Sequence, residues 1–202
     1  MSLYACTTVG CTRYLDEWLK SISSLRPSMI AVARDTLRSE GLGRLRGVHV
    51  IEYGTKPWRS YEERHLSFES DRSILLGIIK LVEHFLSRGE THFLHVDSDV
   101  IVGERASLAV YPLTWDYLQF TVPVVPRESP QPARVMLFWE STNFGISRPI
   151  AQKILSELYE LLDKPYPVDI NVHKVIRRAN PRKHRLINSG VSHYIKGMKY
   201  TI

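Results

Sequence analysis

The stretch that most restricts what this chain can fold into is RSILLGIIKLVEHFLSRGETHFLHVDSDVIV, residues Arg72 to Val102. Within it Ile74, Leu75, Ile78, Leu81, Val82 and Phe85 recur every three or four residues, which puts them on one face of an α-helix. A helix from about Ser67 to Ser87 is expected, ended at Gly89. The apolar run Phe93 to Val96 follows almost at once. A one-sided helix that feeds straight into an apolar strand is the crossover unit of a parallel sheet: the helix covers one face, and the strand, covered on both, needs no polar alternation.

The residues before it repeat the same alternation. LYACTTV (Leu3 to Val9) is strand-like, and TRYLDEWLKSISSL has helical spacing at Tyr14, Leu15, Trp18, Leu19 and Ile22, with Thr12 in the capping position. Arg26-Pro27 ends that helix. MIAVA (Met29 to Ala33) and GVHVIEY (Gly47 to Tyr53) are the next strands, and GTKPWRSYEERHL is a polar loop. Strand and helix in alternation imply an α/β fold: a doubly wound, mostly parallel central sheet flanked by helices, with ligands at the carboxyl ends of its strands. The second half is more irregular. DYLQFTVPVVP and RVMLFWESTNFGIS are strand-like and joined by RESPQPA; Ile150 to Leu162 is helical, YPVDINVHKVIRR begins another helix, and GVSHYIKGMKYTI is loop with a last strand. With 202 residues, 44% of them hydrophobic, the chain supports one sizeable core, so residues 1–202 are expected to form a single domain.

The formal charge of +6 favours polyanionic partners: nucleotide phosphates, nucleic acid or an anionic membrane surface. Much of the excess lies in KVIRRANPRKHR, Lys174 to Arg185, which is equally a solvated basic face. Cys6 and Cys11 are too few for a disulfide framework or a zinc set, so reduced structural thiols are expected. MSLYACTTVGC lacks the layout of a secretory signal, and no run approaches the ~18 apolar residues of a membrane span, so a cytoplasmic location is expected.

Asp97 and Asp99 end the constraining stretch. On a continuing strand they would point the same way, with Ser98 opposed. Two such carboxylates repel each other and lose hydration; a divalent cation answers both costs, and Mg²⁺ or Mn²⁺ prefers carboxylate oxygen while keeping positions open for phosphate and water. The alternative is a solvated loop in which both aspartates cap the next turn.

Helix with an early arginine, glycine turn, apolar strand and Asp-x-Asp together resemble the GT-A fold of nucleotide-sugar-dependent glycosyltransferases, and the compact chain is similar to small members encoded by archaeal viruses. The resemblance covers most of the chain as an order of elements plus short motifs. It implies a metal-dependent transfer of a sugar from a UDP- or GDP-sugar to a hydroxyl of a glycan, glycolipid or protein acceptor. Residues 1–103 would form the nucleotide-binding half and 104–202 the acceptor-binding half. It puts Thr7, with Thr8 and Val9, against the base, although the threonines serve equally to satisfy strand-end backbone groups. Asp35 would meet base or ribose, or else cap a helix over TLRSEG. Arg72 would contact the nucleotide, or else pair with Glu69 or Asp71. Asp99 would bind the metal directly, and Asp97 the ribose or a metal-bound water.

SHYIKGMK is similar to a late His…Gly…Lys motif of the glycogenin-like branch, which implies His193 as a further metal ligand and Lys199 on the diphosphate. Gly197 stands one position later than in that motif, and no Pro-Trp follows the lysine. STNFGIS resembles an Asn-x-Gly strand that lines the sugar pocket, singling out Asn143 and Gly145, the latter otherwise a turn glycine. Asp169 matches a region that supplies the catalytic base of inverting members, or is the N-cap of its helix. The Asn-x-Gly and His-x₅-Lys features lean instead toward retention, so both stereochemical outcomes stay open. Two rival functions remain. A nucleotidyltransferase also uses paired carboxylates and a metal, but TTVGCTR is a poor match to its phosphate loop. A nucleic-acid-binding module would rest on the basic run, which no recognisable nucleic-acid motif accompanies, so no nucleic acid partner is expected. Peripheral contact with an anionic membrane is the remaining use for that run.

Overall fold

Leu3–Val9 forms the first strand, β1, and every residue in it is buried. The computed structural model describes residues 1–9, 12–37, 42, 45–55, 66–120, 122–124, 136–138, 142–165, 167–187, 191–195 and 198–201. After β1 come α1 (Leu15–Ser24), β2 (Met29–Asp35), β3 (His49–Tyr53), α2 (Leu66–Ser87) and β4 (His92–His95). The expected helix–strand unit is therefore present, with α2 starting one residue earlier than the apolar period marks. Thr12 contributes to α1 through its carbonyl, which accepts the Leu15 N–H at 3.1 Å; the N-cap position is Tyr14, with no side-chain cap. Asp16 and Glu17 in the first turn favour the positive end of the helix dipole.

The second half holds more regular structure than its sequence suggests. It runs β5 (Val100–Val102), α3 (Glu104–Val110), β6 (Tyr117–Phe120), β7 (Val122–Val124), β8 (Met136–Phe138), β9 (Phe144–Ser147), α4 (Arg148–Glu160), a 3₁₀ turn (Leu161–Asp163), α5 (Val168–Arg178), β10 (His184–Ile187), β11 (Val191–Ile195) and β12 (Met198–Thr201). The tail expected to be loop with a last strand contains two strands, β11 and β12.

Seven strands make the main sheet in the order β10-β6-β9-β4-β1-β2-β3. β9 alone runs against its neighbours, pairing antiparallel with β4 and β6, so the sheet is mixed but mostly parallel, as expected. One face carries α2, α4 and α5, whose Leu75, Ile78, Val82, Phe85, Ile154, Val172 and Ile176 pack on Tyr4, Phe93, Tyr117 and Phe144. The other carries α1 and α3, with Trp18, Ile22, Ala106 and Val110 against Leu3, Ala5, Val32, Leu94 and Leu118. The result is an α/β/α sandwich.

From β1 the chain winds outward through β2 and β3, then returns along α2 to enter β4 on the other side of β1. That reversal opens a crevice at the carboxyl ends of β1 and β4, where open α/β sheets bind ligands. A smaller antiparallel sheet, β12-β11-β5, sits beside the crevice because β5 leaves the turn after β4. At the opposite edge Arg148 reaches into the first half of the chain. Its guanidinium donates to the carbonyls of Phe85, Leu86, Arg88 and Glu90 and lies 4.8 Å above the Phe85 ring, closing the carboxyl end of α2.

Candidate active site

β4 stops at His95, so Asp97 and Asp99 lie beyond the strand rather than on it. Residues 98 and 99 form a turn closed by the Val100 N–H on the Asp97 carbonyl at 2.9 Å. Strand alternation thus does not set the two carboxylates, contrary to the simplest expectation. Val96 holds the turn down instead, its N–H on the Cys6 carbonyl at 3.0 Å and its carbonyl taking the Trp18 indole N–H at 3.0 Å.

Asp97 is anchored by residues entering β9. Asn143, 1% exposed, accepts the Asp97 N–H on Oδ1 at 2.6 Å and returns Nδ2–H to carboxylate Oδ2 at 2.7 Å. The Thr142 hydroxyl donates to Oδ1. Thr142 is held in turn by His95, whose Nδ1–H donates to the Thr142 carbonyl at 2.6 Å while Nε2 accepts the Thr8 N–H at 3.2 Å. Those two partners fix the neutral tautomer. Complete burial pushes the His95 pKa down to about 4, so the imidazole 4.0 Å from Asp97 forms no ion pair at neutral pH. One buried chain of hydrogen bonds therefore joins the ends of β1, β4 and β9. The Asp97 side chain stays 27% exposed on top of it.

Neighbouring elements bring further carboxylates to this edge. Asp35 ends β2 and is 2% exposed. Its carboxylate accepts Ser73 Oγ–H at 2.6 Å, Leu37 N–H at 3.0 Å and Thr55 N–H at 3.3 Å, tying β2 to the first turns of α2. Burial raises its pKa, but these hydrogen bonds outweigh burial and hold it below the ordinary value. Arg72, half-buried, precedes Ser73 on α2. Asp169 lies in the first turn of α5 and accepts its neighbour Ile170 N–H at 2.8 Å. Pro167, not Asp169, is the N-cap, and Asp71 of α2 accepts the Val168 N–H at 3.0 Å. Burial, with the charge of Asp169, raises the Asp71 pKa.

Other expected site residues have different surroundings. Thr7 is fully buried and its hydroxyl turns to the Thr8 carbonyl. Gly145 is buried in β9, paired with Leu94 on one side and Leu118 on the other; a Cβ there would stand 2.7 Å from the Trp115 ring. His193 in β11 is in register with Val100, the residue after Asp99, and Lys199 in β12 is opposite Tyr194. The side chains of His193 and Lys199, and Cys11 and Gly197 entirely, lie outside the described residues. Cys6 is a buried free thiol whose pKa burial raises well above its ordinary value.

Three participants escaped the sequence. His95 and Thr142 look like ordinary members of strand-like runs, and only the polarity of His95 within FLHV marks it. Gly77 sits mid-helix in α2, where a Cβ would stand 2.6 Å from both the Thr8 methyl and the Tyr53 hydroxyl. Its absence lets α2 press directly on the end of β1.

Among the described residues no group of three or more His, Cys, Asp or Glu gathers to hold a metal. The donors present still suit a hard cation. Asp97 offers a carboxylate oriented by Thr142 and Asn143, and Asp99 follows two residues on. Mg²⁺ or Mn²⁺ takes one or two carboxylates and completes its shell with water and phosphate.

No family model matches the chain, and no curated protein does. Many solved structures are similar, among them two crystal structures. The crystal structure of 4-diphosphocytidyl-2C-methyl-D-erythritol synthase superposes with a TM-score of 0.54 at 13% identity, over 100% of this chain and 94% of that one. The crystal structure of a glycosyltransferase involved in the glycosylation of the major capsid of PBCV-1 gives a TM-score of 0.49 at 15% identity, over 93% and 83%. At such identities the likeness is one of fold. The fold is thereby GT-A-like: α/β, with a mostly parallel seven-stranded sheet.

Proposed function

We propose that the chain is a metal-dependent glycosyltransferase that uses a nucleotide-diphospho-sugar, with Asp97-Ser98-Asp99 as the shelf for the donor's diphosphate. The observation that carries this reading is the anchored Asp97. A carboxylate at the β1–β4 reversal, held by Asn143 and Thr142 yet open to solvent, is pre-organised to receive something in the crevice. A bound Mn²⁺ or Mg²⁺ would neutralise charge that builds on the leaving diphosphate.

The chain's own residues do the rest in this proposal. Thr7, Asp35 and Arg72 would shape the base and ribose end, Asn143 orients Asp97, and Lys199 would meet the diphosphate. His193 and Asp99 complete the cation site. Transfer breaks the bond between the anomeric carbon and the phosphate oxygen and forms one to the acceptor oxygen. In an inverting reaction the acceptor proton passes to a carboxylate, for which Asp169 is the candidate. Its neighbour Asp71, with a raised pKa, is the second carboxylate at that helix start.

Calorimetric titration with UDP and GDP tests the proposal. Binding that requires Mn²⁺ and disappears in Asp99→Ala supports it. Wild-type protein that binds neither nucleotide with any divalent cation refutes it. The likeness to the diphosphocytidyl-methylerythritol synthase favours one second reading, a nucleotidyltransferase. Release of pyrophosphate from a nucleoside triphosphate, in place of nucleoside diphosphate from a nucleotide-sugar, would select it.

A further inference from the structure

The basic run Lys174–Arg185 is not part of the site described above, and the sheet topology explains why. Residues 170–202 contain eight lysines and arginines and no acid, whereas residues 1–169 carry nineteen against twenty-one acids. The whole positive excess is therefore C-terminal. α5 starts at the carboxyl edge of the sheet and descends, so its last turn, with Arg177 and Arg178, and the following residues Arg182 and Lys183 lie at the amino edge. Arg182 and Lys183 are exposed, and the Asp116 carboxylate holds their backbone N–H groups at 3.1 and 3.3 Å.

Other elements bring the same charge to that edge. Arg26 follows α1, Arg88 follows α2, and Arg46 precedes β3; all three are exposed. Of the acids nearby, Glu90 is 7% exposed, Asp116 is occupied by the 182–183 backbone and Ser147, and Glu157 is paired with Arg178 at 3.0 Å. At the carboxyl edge the charge is mixed, with Asp35, Asp71, Asp97, Asp99 and Asp169 offsetting Arg13, Arg34 and Arg72.

Exposed apolar side chains border the basic edge. Leu108 is 73% exposed and Tyr111 38%, and with Leu25 and Arg26 they line an open cleft between α1 and α3. Hydrogen bonds make the two parts contiguous: Tyr111 Oη–H donates to the Leu25 carbonyl at 2.6 Å, Arg185 to the Ala109 carbonyl at 2.5 Å, and Asp116 N–H to the Lys183 carbonyl at 2.8 Å.

From this basic edge and the adjoining apolar side chains we infer that the amino edge of the sheet docks on an anionic lipid bilayer. Lipid headgroups satisfy the cations while Leu108 and Tyr111 enter the interface. A nucleic acid would engage the same cations, but an exposed leucine and an apolar cleft give it nothing to read. The edge spans six strand spacings, roughly 30 Å, broad enough to lie flat on a membrane. The donor crevice then faces away from the bilayer, so this contact is independent of the catalytic reading.

Sedimentation with phosphatidylcholine vesicles, with and without phosphatidylserine, tests the inference. Binding is expected only to the anionic vesicles and is weakened by salt. The Arg182→Ser/Lys183→Ser variant loses roughly fivefold in partition per charge removed. Leu108→Ser weakens binding without changing its salt dependence, and Asp99→Ala, at the other edge, leaves it intact. Absence of binding to anionic vesicles overturns the inference, as does binding that survives the double substitution. Nucleic acid binding through Arg182 and Lys183 that Leu108→Ser does not alter overturns it in favour of a nucleic-acid surface.

Discussion

Replacing Gly145 with alanine separates two roles for this residue. The added Cβ would stand 2.7 and 2.8 Å from two atoms of the Trp115 ring and 3.1 Å from the Leu118 Cβ. Trp115 cannot simply yield. It is 2% exposed, its indole N–H is held by the Val110 carbonyl at 2.8 Å, and its ring meets His92 edge-on at 4.7 Å. Nor is β9 free to shift, since β4 pins it on one side and β6 on the other. Overpacking of this kind costs about 1–3 kcal/mol. Breaking the indole hydrogen bond adds about 1 kcal/mol, and the lower chain entropy of alanine returns about 0.5–1 kcal/mol. The net expectation is a loss of about 2 kcal/mol, or about 5 °C in Tm for a chain of this size. Urea unfolding should show a lower midpoint at unchanged slope. In a Trp115→Leu background the same substitution should cost less than about 0.5 kcal/mol, because the obstructing ring is gone. A Gly145→Ala protein of wild-type stability refutes the packing account. If that protein also loses nucleotide binding, Gly145 lines the donor pocket, as the family resemblance implies.

Two further outcomes follow from the network beneath Asp97. Asn143→Ala removes a hydrogen bond to a carboxylate and strands the Asp97 N–H, so unfolding should show a loss of roughly 2–4 kcal/mol, with weaker metal-dependent nucleotide binding; unchanged stability would refute the anchoring role. His95 has a folded pKa of about 4 against an ordinary 6.5, so the unfolded chain takes up its proton first as pH falls. The stability of the neutral buried form is whole above pH 6.5 and is lost on descending toward 4, amounting to about 2.5 kcal/mol between about pH 7.5 and 4.5 in EDTA. His95→Gln should lack that part of the slope, and matching pH profiles for the two proteins would refute it.

The first half of this fold is legible because each of its elements carries its own periodicity. Leu3–Val9 is the strand its apolar run indicates, and α2 follows its buried stripe to within a residue at its start. The second half hides its elements for physical reasons. α3 has only seven residues, too few for a stripe, and β10 is exposed at alternate positions on a sheet edge. β11 gains its order from pairing with β5, a contact about ninety residues away in sequence, and β12 from pairing with β11. The site divides in the same way. Asp97, Asp99, Asn143 and Asp35 stand out by type and place, and the structure joins Asp97 to Asn143 while Asp35 is held by Ser73, Leu37 and Thr55. The Thr8–His95–Thr142 links were not legible, because a histidine within a strand shows its partners only when the strands are side by side. Asp71 reads in the sequence only as a partner for Arg72, since nothing local says that it meets the first turn of a helix almost a hundred residues later.

Arg148 closes α2 from the second half of the chain, and β9, beside it, is the strand that covers β4. A fragment ending near residue 103 would keep β1 to β5 and both aspartates, yet present β4 as an open edge and lose the guanidinium that meets the carbonyls at and just beyond the end of α2. Such a piece is a template for intermolecular strand pairing rather than a miniature of the protein. Folding of the first half thereby waits on the second: as the chain is made, the turn that carries Asp97 acquires a fixed shape only after Thr142, Asn143 and β9 have emerged.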